Sequence, residues 1–200
     1  MARAAERYED FEPKDRASWR RWLQRHHAKS AGVWLIRLKQ SAGPTNITYD
    51  EACEEAICFG WVDSLPRKLD ETRSRLLVTP RKPGSGWSKP NKDRVAKLEA
   101  AELMTPAGRA VIDAAKADGS WTKLDAVERL DVPGDLAAAL DDHDGARREW
   151  DDFPRSVKRG ILEWILQAKK AETRAKRVAE TASKAAIGER ANQWRSKTRT

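Results

Sequence analysis

Apolar and polar positions recur along the chain with helical and strand periods, and these periods predict its elements. Apolar residues spaced by three and four positions predict a first helix with Trp19, Trp22 and Leu23 on one face. Residues 33–39 follow. They are rich in β-formers and apolar on both faces at their start, which is typical of an inner strand. The N-terminal half therefore mixes helix with strand from its beginning.

The second helix has the clearest predicted boundaries. Thr48, followed three residues later by Glu51, has the pattern of a capping box at a helix start. Gly60 suits the left-handed position that ends such a helix. Two strands at residues 65–69 and 75–79 are then expected to pair as a hairpin, because a short polar stretch separates them.

Beyond Trp87 the pattern is helical. Ser88 and Thr105 each precede a proline in the first turn of a helix, where proline is favoured. We expect Ser156 to cap a further, long helix. The predicted fold class is α+β: a small antiparallel sheet of about three strands packed with helices, followed by a mostly α-helical C-terminal half. The predicted organisation is a flexible N-terminus at 1–12, an α+β domain at 13–122, a helical region at 123–188 and a flexible tail at 189–200.

Charge is unevenly distributed along this pattern. The 200 residues carry a net charge of +8. Residues 1–151 hold 26 Lys and Arg against 26 Asp and Glu, whereas residues 152–200 hold 13 against 5. Such a basic segment either attracts nucleic acid or an anionic surface, or is simply a solvated helix face.

The composition excludes several kinds of protein. The two cysteines, Cys53 and Cys58, do not share one face of a helix, so a disulfide between them would distort that helix. The Cys/His spacing of a zinc site is absent. No stretch has the apolar length of a signal peptide or a membrane span. We therefore expect a cytoplasmic protein with no transmembrane segment, metal or other cofactor.

Residues 57–94 combine glycine, proline, tryptophan, arginine and aspartate more densely than a plain connection needs. The segment at 60–64, Gly-Trp-Val-Asp-Ser, lies at a predicted helix-to-strand corner, where a rigid scaffold exposes polar groups. Asp63 is suited to accept a hydrogen bond from a hairpin arginine such as Arg67, or from a cationic ligand. It is equally suited to a structural part, in which it caps a turn or pairs with Arg81.

The segment at 79–91 is a glycine-rich loop that leads into a helix N-terminus, where free N–H groups favour an anion. Arg81 can bind phosphate or carboxylate through two parallel hydrogen bonds, and Trp87 can stack on a flat ligand. A loop pinned by a buried tryptophan would have the same composition, and no nucleotide-binding fingerprint is present. The candidate ligand-binding residues of both segments are Trp61, Asp63, Ser64, Arg67, Arg81, Trp87, Ser88 and Asn91.

Motifs spread from residue 19 to 188 carry a family resemblance. They are Trp19-Arg-Arg-Trp-Leu, Gly32-Val-Trp-Leu, Thr48-Tyr-Asp-Glu-Ala, Cys58-Phe-Gly-Trp-Val-Asp-Ser, Thr79-Pro-Arg, Trp87-Ser-Lys-Pro-Asn, Met104 with Gly108, Ala115-Lys with Asp118-Gly and Trp121, and Ala168-Lys with Thr173-Arg. In this order they resemble the YdeI/OmpD-associated (OmdA, bacteriocin-protection) family. The resemblance implies a part in tolerance of antimicrobial peptides and other envelope stress, without an established reaction. Some members are described as periplasmic, a location that we do not expect here.

Three hypotheses follow. The leading one is a non-catalytic stress-tolerance protein whose pocket binds a small anionic or zwitterionic ligand. The alternative is weak, sequence-independent contact with nucleic acid or an anionic surface through the basic C-terminal helices, along Lys169, Lys170, Arg174 and Arg177. An uncharacterised enzyme comes third. Its best nucleophile is Cys58, which is predicted at the C-terminal end of a helix. The negative end of the helix dipole does not lower the pKa of a thiol, so we assign no catalytic residue.

Overall fold

The structure, a computed structural model, describes residues 8–193, which fall into two compact units divided between Lys123 and Leu124. The flexible termini expected at 1–12 and 189–200 lie in part outside the described residues. The described part of the first includes a short strand, Asp10–Phe11. Within residues 8–193, every helix is too short or too polar to cross a membrane.

The first unit contains a four-stranded sheet of order β1-β2-β4-β3. The antiparallel pairing of β2 with β4 and of β4 with β3 agrees with the expected small antiparallel sheet, and β1 adds to β2 in parallel. The α+β class is therefore confirmed, with a mixed sheet. The strands are β1 (Asp10–Phe11), β2 (Val33–Leu38), β3 (Trp61–Lys68) and β4 (Arg73–Pro80).

The hairpin is longer than its sequence predicts. The strand β3 begins at Trp61, directly after Gly60, instead of at residue 65. A register irregularity between Asp63 and Leu65 leaves Ser64 as an extra residue. Such a bulge breaks the two-residue alternation by which a strand is recognised, so the pattern hides the first half of β3.

Four α-helices and a short 3-10 helix, Gln40–Ala42, complete the first unit over its described residues 8–123. The capping box at Thr48 is confirmed, since its side chain accepts from the N–H of Glu51 and the Glu51 carboxylate accepts from the N–H of Thr48. Gly60 has a φ of +74°, as its predicted left-handed position requires. Trp19 and Leu23 are fully buried in the core formed with the sheet. The helices are α1 (Arg16–His26), α2 (Tyr49–Cys58), α3 (Lys89–Ala100) and α4 (Pro106–Ala117).

Buried acids join three of these helices. Glu54 and Glu55 of α2 are 3% and 2% exposed. Arg16 of α1 bonds to both carboxylates, at 2.9 and 2.6 Å, while Arg20 bonds to Glu55 at 2.7 Å and Lys97 of α3 to Glu54 at 2.6 Å. The negative charges are thus paired, as burial requires.

The helix α4 approaches the end of α2 so closely that residue 108 has room only for glycine. A Cβ on Gly108 would lie 2.4 Å from the carbonyl oxygen of Cys58. The hydroxyl of Thr105, the N-cap residue of α4, donates to the same carbonyl. This contact fixes the start of α4, whose next turn carries Ala110 and Val111.

The second unit is helical and has its own core, which includes Trp150, Leu136 and Ile161. The expected cap at Ser156 is wrong: the N-cap of the fourth helix is Pro154, two residues earlier, and the helix begins at Arg155. Proline fixes the φ angle that suits this position. The helices of this unit are α5 (Asp125–Arg129), α6 (Gly134–Asp141), α7 (Ala146–Asp152), α8 (Arg155–Leu166) and α9 (Ala171–Ala185).

Gly108 gives a testable prediction about how α4 is positioned. A methyl group there must push α4 away from the backbone of α2, so we expect Gly108→Ala to lower the free energy of unfolding by more than about 2 kcal/mol. Gly160, inside α8, has open space where its Cβ would lie. Gly160→Ala is therefore the matched control and should gain roughly 0.5–1 kcal/mol. Urea unfolding followed by circular dichroism compares the two, and an undiminished stability of Gly108→Ala would contradict the close contact.

Candidate functional site

Arg81 and Trp87 stack on each other just after strand β4. The backbone N–H of Arg81 donates to the carbonyl oxygen of Gly60 at 3.0 Å, which extends the hairpin by one bond. The guanidinium carbon lies 3.8 Å from the centre of the Trp87 ring. Nη1 donates to the carbonyl oxygen of Gly86 at 3.1 Å. The loop between the two residues therefore folds back on the arginine.

Three nitrogens of this pair are buried without an acceptor among the described residues. They are Nε and Nη2 of Arg81 and Nε1 of Trp87. Desolvation lowers the pKa of Arg81 to about 10, while the charge of Asp63 acts in the opposite direction. The guanidinium thus stays positive at neutral pH. A buried donor without an acceptor costs about 1–3 kcal/mol, and more when it is charged.

A cavity of about 180 Å³ adjoins the pair. One wall is α4, which presents the small side chains of Ala110, Val111 and Ala114, and the other is the loop at 82–85. Gly84 fastens this loop. Its N–H donates to Oδ2 of Asp118 at 3.2 Å and its carbonyl oxygen accepts from Nζ of Lys123 at 3.2 Å. The cavity is thus walled mainly by apolar groups, with the buried donors beside it.

Cations surround the same region. The ring of Trp121 lies 5.0 Å from that of Trp87, and the ammonium groups of Lys92 and Lys116 lie 5.3 and 5.5 Å from the Trp121 ring. The acid at the cavity is Asp118. Its hydrogen bonds with Ser120 and with the backbone N–H of Gly84 lower its pKa. The balance of charge therefore favours an anion.

Only two of the eight predicted ligand-binding residues line this cavity, namely Arg81 and Trp87. Trp61 is 2% exposed in the core, where its Nε1 donates to the carbonyl oxygen of His27. The remaining residues outside the cavity are Asp63, Ser64, Arg67, Ser88 and Asn91.

Three of these residues lie on the strand β3 or at the start of α3. Ser64 is exposed, and its hydroxyl donates to the carbonyl oxygen of Leu77 at 3.3 Å. Arg67 places its guanidinium 5.4 Å from the ring of Trp34. Ser88 occupies the N-cap position of α3, but its side chain makes no capping hydrogen bond. Their contacts are with the protein itself.

Asp63 and Asn91 belong to a separate cluster around Tyr49. The Tyr49 hydroxyl donates to Oδ2 of Asp63 at 2.6 Å, and burial together with this bond raises the pKa of Tyr49. Arg94 donates to Oδ1 of Asn91 at 2.9 Å and lies 5.8 Å from the Tyr49 ring. Arg37 lies 5.7 Å from the same ring. Asp63 and Asn91 thus bond to Tyr49 and Arg94, while the charge of Asp63 also acts on Arg81.

The cysteines lack the surroundings of a catalytic thiol. Both are free and buried, and burial raises the pKa of Cys58 and raises that of Cys53 to about 12. The ring of His26 stacks on Trp22, with centroids 4.7 Å apart. His27 binds the carbonyl oxygen of Leu23. At Cys58 burial outweighs the opposite effect of the nearby Arg20, so the arrangement does not favour a thiolate nucleophile.

The four cations of the basic C-terminal helices differ in their contacts. Arg174 forms two hydrogen bonds with Asp135, at 2.7 and 2.9 Å, and Arg177 lies over the Trp164 ring and donates to its carbonyl oxygen. Lys169 and Lys170 are exposed. Residues 124–200 hold 16 Lys and Arg against 14 Asp and Glu, and residues 1–123 hold 23 against 17. The basic stretch is therefore largely balanced by acids of its own unit.

The wall of the cavity on α4 is the part that sequence reasoning missed. Ala110, Val111 and Ala114 are small or apolar residues of an amphipathic helix, and nothing in their pattern indicates a ligand. The packing of Gly108 on α2 brings this wall to the loop, and a lone glycine in a helix gives only a weak signal of such packing.

Arg81 gives a testable prediction about stability. Because two of its nitrogens are buried without acceptors, we expect Arg81→Met to keep the free energy of unfolding at or above that of the wild type. If Arg81 instead serves only to pin the loop, the variant should lose more than about 1 kcal/mol. Urea unfolding without added ligand decides between the two. The variant Gly108→Ala, which we expect to be destabilised, is the reference for a clear decrease in the free energy of unfolding.

Two families match the chain. Residues 11–111 match the family model of a domain of unknown function (DUF8412), and residues 129–188 match the one described as Bacteriocin-protection, YdeI or OmpD-Associated (OmdA). None of the curated proteins or solved structures compared with the chain matches it. The predicted family resemblance is thus confirmed on the helical unit, while Arg81 and Trp87 lie in the part that matches the domain of unknown function. The chain therefore belongs to the DUF8412 family, and its residues 129–188 are similar to the bacteriocin-protection, YdeI or OmpD-associated family.

Proposed function

We propose that this protein is a non-catalytic binding protein of the bacteriocin-protection type that holds a small anionic ligand at the Arg81–Trp87 cavity. The observation that carries the proposal is the set of three buried N–H donors without acceptors. Arginine and indole nitrogens can only donate, so their acceptor atoms come from outside the protein, from water or from a bound group. An anion supplies such atoms and also neutralises the buried charge of Arg81.

The composition of the cavity supports binding over catalysis. Its polar side chains are those of Arg81, Lys82, Ser85, Asp118 and Ser120. A general base needs a carboxylate or imidazole with a pKa near neutrality, whereas hydrogen bonds lower the pKa of Asp118. None of these groups therefore forms a nucleophile with a neighbouring base.

The loop at 82–86 provides a route to the donors. The three nitrogens are buried, so a ligand reaches them only when the groups that cover them move aside. Lys82, Pro83 and Gly84 are exposed. The loop is fastened at Gly84 by Asp118 and Lys123, and bonds of this kind at a surface are weak. Moving the loop aside therefore breaks few contacts with the surrounding fold.

The proposal predicts ligand-dependent stability. Small carboxylates and inorganic phosphate are added to the full chain and the melting temperature is followed. A ligand at 100 times its Kd stabilises the folded protein by about 2.7 kcal/mol, so a binder raises the melting temperature. We expect this rise in the wild type and its loss in Arg81→Met.

The matched control is Arg67→Met, which makes the same chemical change at an arginine outside the cavity. It should keep the rise in melting temperature that the wild type shows. An equal rise in all three proteins would place the ligand elsewhere. No rise with any anion in the wild type would contradict the proposed function.

A further inference from the structure

We infer that the ligand of the Arg81–Trp87 cavity is a small carboxylate with a compact apolar body of about three to five carbon atoms. This inference rests on the proposed function and adds the chemical class of the ligand. It follows from three properties of the site, which are the shape of the donor set, the size and apolar character of the cavity, and the arrangement of charge around Asp118.

The donor set fits a planar group with two oxygens. Nη1 of Arg81 is occupied by the carbonyl oxygen of Gly86, which leaves the edge formed by Nε and Nη2. The two N–H groups on that edge are parallel and match a carboxylate through two hydrogen bonds. Nε1 of Trp87 adds a third donor. A phosphate brings further oxygens, and beside an apolar wall these would be buried without partners.

The cavity sets the size of the body. Its volume is about 180 Å³. An apolar protein cavity of about 150 Å³ holds a benzene molecule, so the space here suits roughly six to eight non-hydrogen atoms including the carboxylate. The side chains of Ala110, Val111 and Ala114 face it with methyl groups only. A body of this size covers the apolar wall, whereas a bare oxyanion leaves it uncovered.

The charges around Asp118 favour an anion over an amino acid. An amino acid would need an acceptor for its ammonium group, and Asp118 is the acid at the cavity. Both of its carboxylate oxygens already accept a backbone N–H, from Gly84 and Ser120. Lys123, which binds the carbonyl oxygen of Gly84, and Lys82 are close by. A second positive charge is therefore unfavourable here.

The test is a calorimetric titration of the full chain with acetate, butyrate, hexanoate and decanoate. We expect Kd to fall about fourfold for each methylene that the cavity buries, and to stop falling between hexanoate and decanoate. Hexanol, 2-aminohexanoate and inorganic phosphate should each bind at least tenfold more weakly than hexanoate. The first lacks the carboxylate, the second adds an ammonium group and the third lacks the body.

A matched pair of variants locates the apolar body. Ala114 is an exposed residue of α4 that lines the cavity, so Ala114→Leu fills the space without disturbing the core. We expect Ala114→Leu to raise the Kd for hexanoate at least tenfold and to leave the Kd for acetate unchanged. Ala117→Leu, on the same helix but outside the cavity, should bind both as the wild type does.

The possible results separate this inference from the proposed function. Equal affinity for acetate, hexanoate and phosphate, tighter binding of phosphate, or equal loss in both leucine variants would overturn the carboxylate class and leave an anion site at Arg81. Tighter binding of 2-aminohexanoate would assign a zwitterion instead. Binding of hexanol as tight as that of hexanoate, or no binding of any anion, would overturn both.

Discussion

The burial of one guanidinium group against one indole ring is the constraint on which the proposed site depends. Arg81 is held from two sides, by Gly60 at its backbone and by Gly86 at Nη1, so its remaining edge has a fixed position. Trp87 contributes a second kind of donor at the same place. Such a cluster lowers the stability of the free protein and raises its affinity for a group that carries acceptors. The lower stability of the free protein and the proposed binding therefore have the same physical cause, which is the set of buried donors without acceptors.

The scaffold around the pair explains why the cluster persists. Glu54 and Glu55 join α1, α2 and α3 through paired charges, and Gly108 allows α4 to touch the end of α2. Gly60 connects the two parts, because a Cβ at its left-handed position would lie 2.7 Å from the side chain of Val111 on the cavity wall. The contacts of Gly60 and Gly108 thus add to the loop's own hydrogen bonds in placing Arg81.

The sequence predicts those features that short-range chemistry determines. The capping box at Thr48 and the left-handed Gly60 both follow from residues close together in the chain. The cavity wall on α4 could not be predicted, because it depends on packing between elements about 25 residues or more apart. The buried acids of α2 were equally hidden, since the helical period assigns them to a polar face and only tertiary pairing buries them. The same limit applies to Asp63: the sequence shows its place in the hairpin, but not that its carboxylate accepts from the Tyr49 hydroxyl.

The most direct test of this account is the NMR signal of the indole N–H of Trp87 during titration with hexanoate. Comparison with Trp87→Phe assigns the signal among those of the nine tryptophans. If the three buried donors bind a carboxylate, this signal and that of the Arg81 Nε–H shift together, to higher frequency, and saturate at one Kd. If both signals stay in place while other tryptophan signals move, the ligand binds elsewhere and the central claim is contradicted.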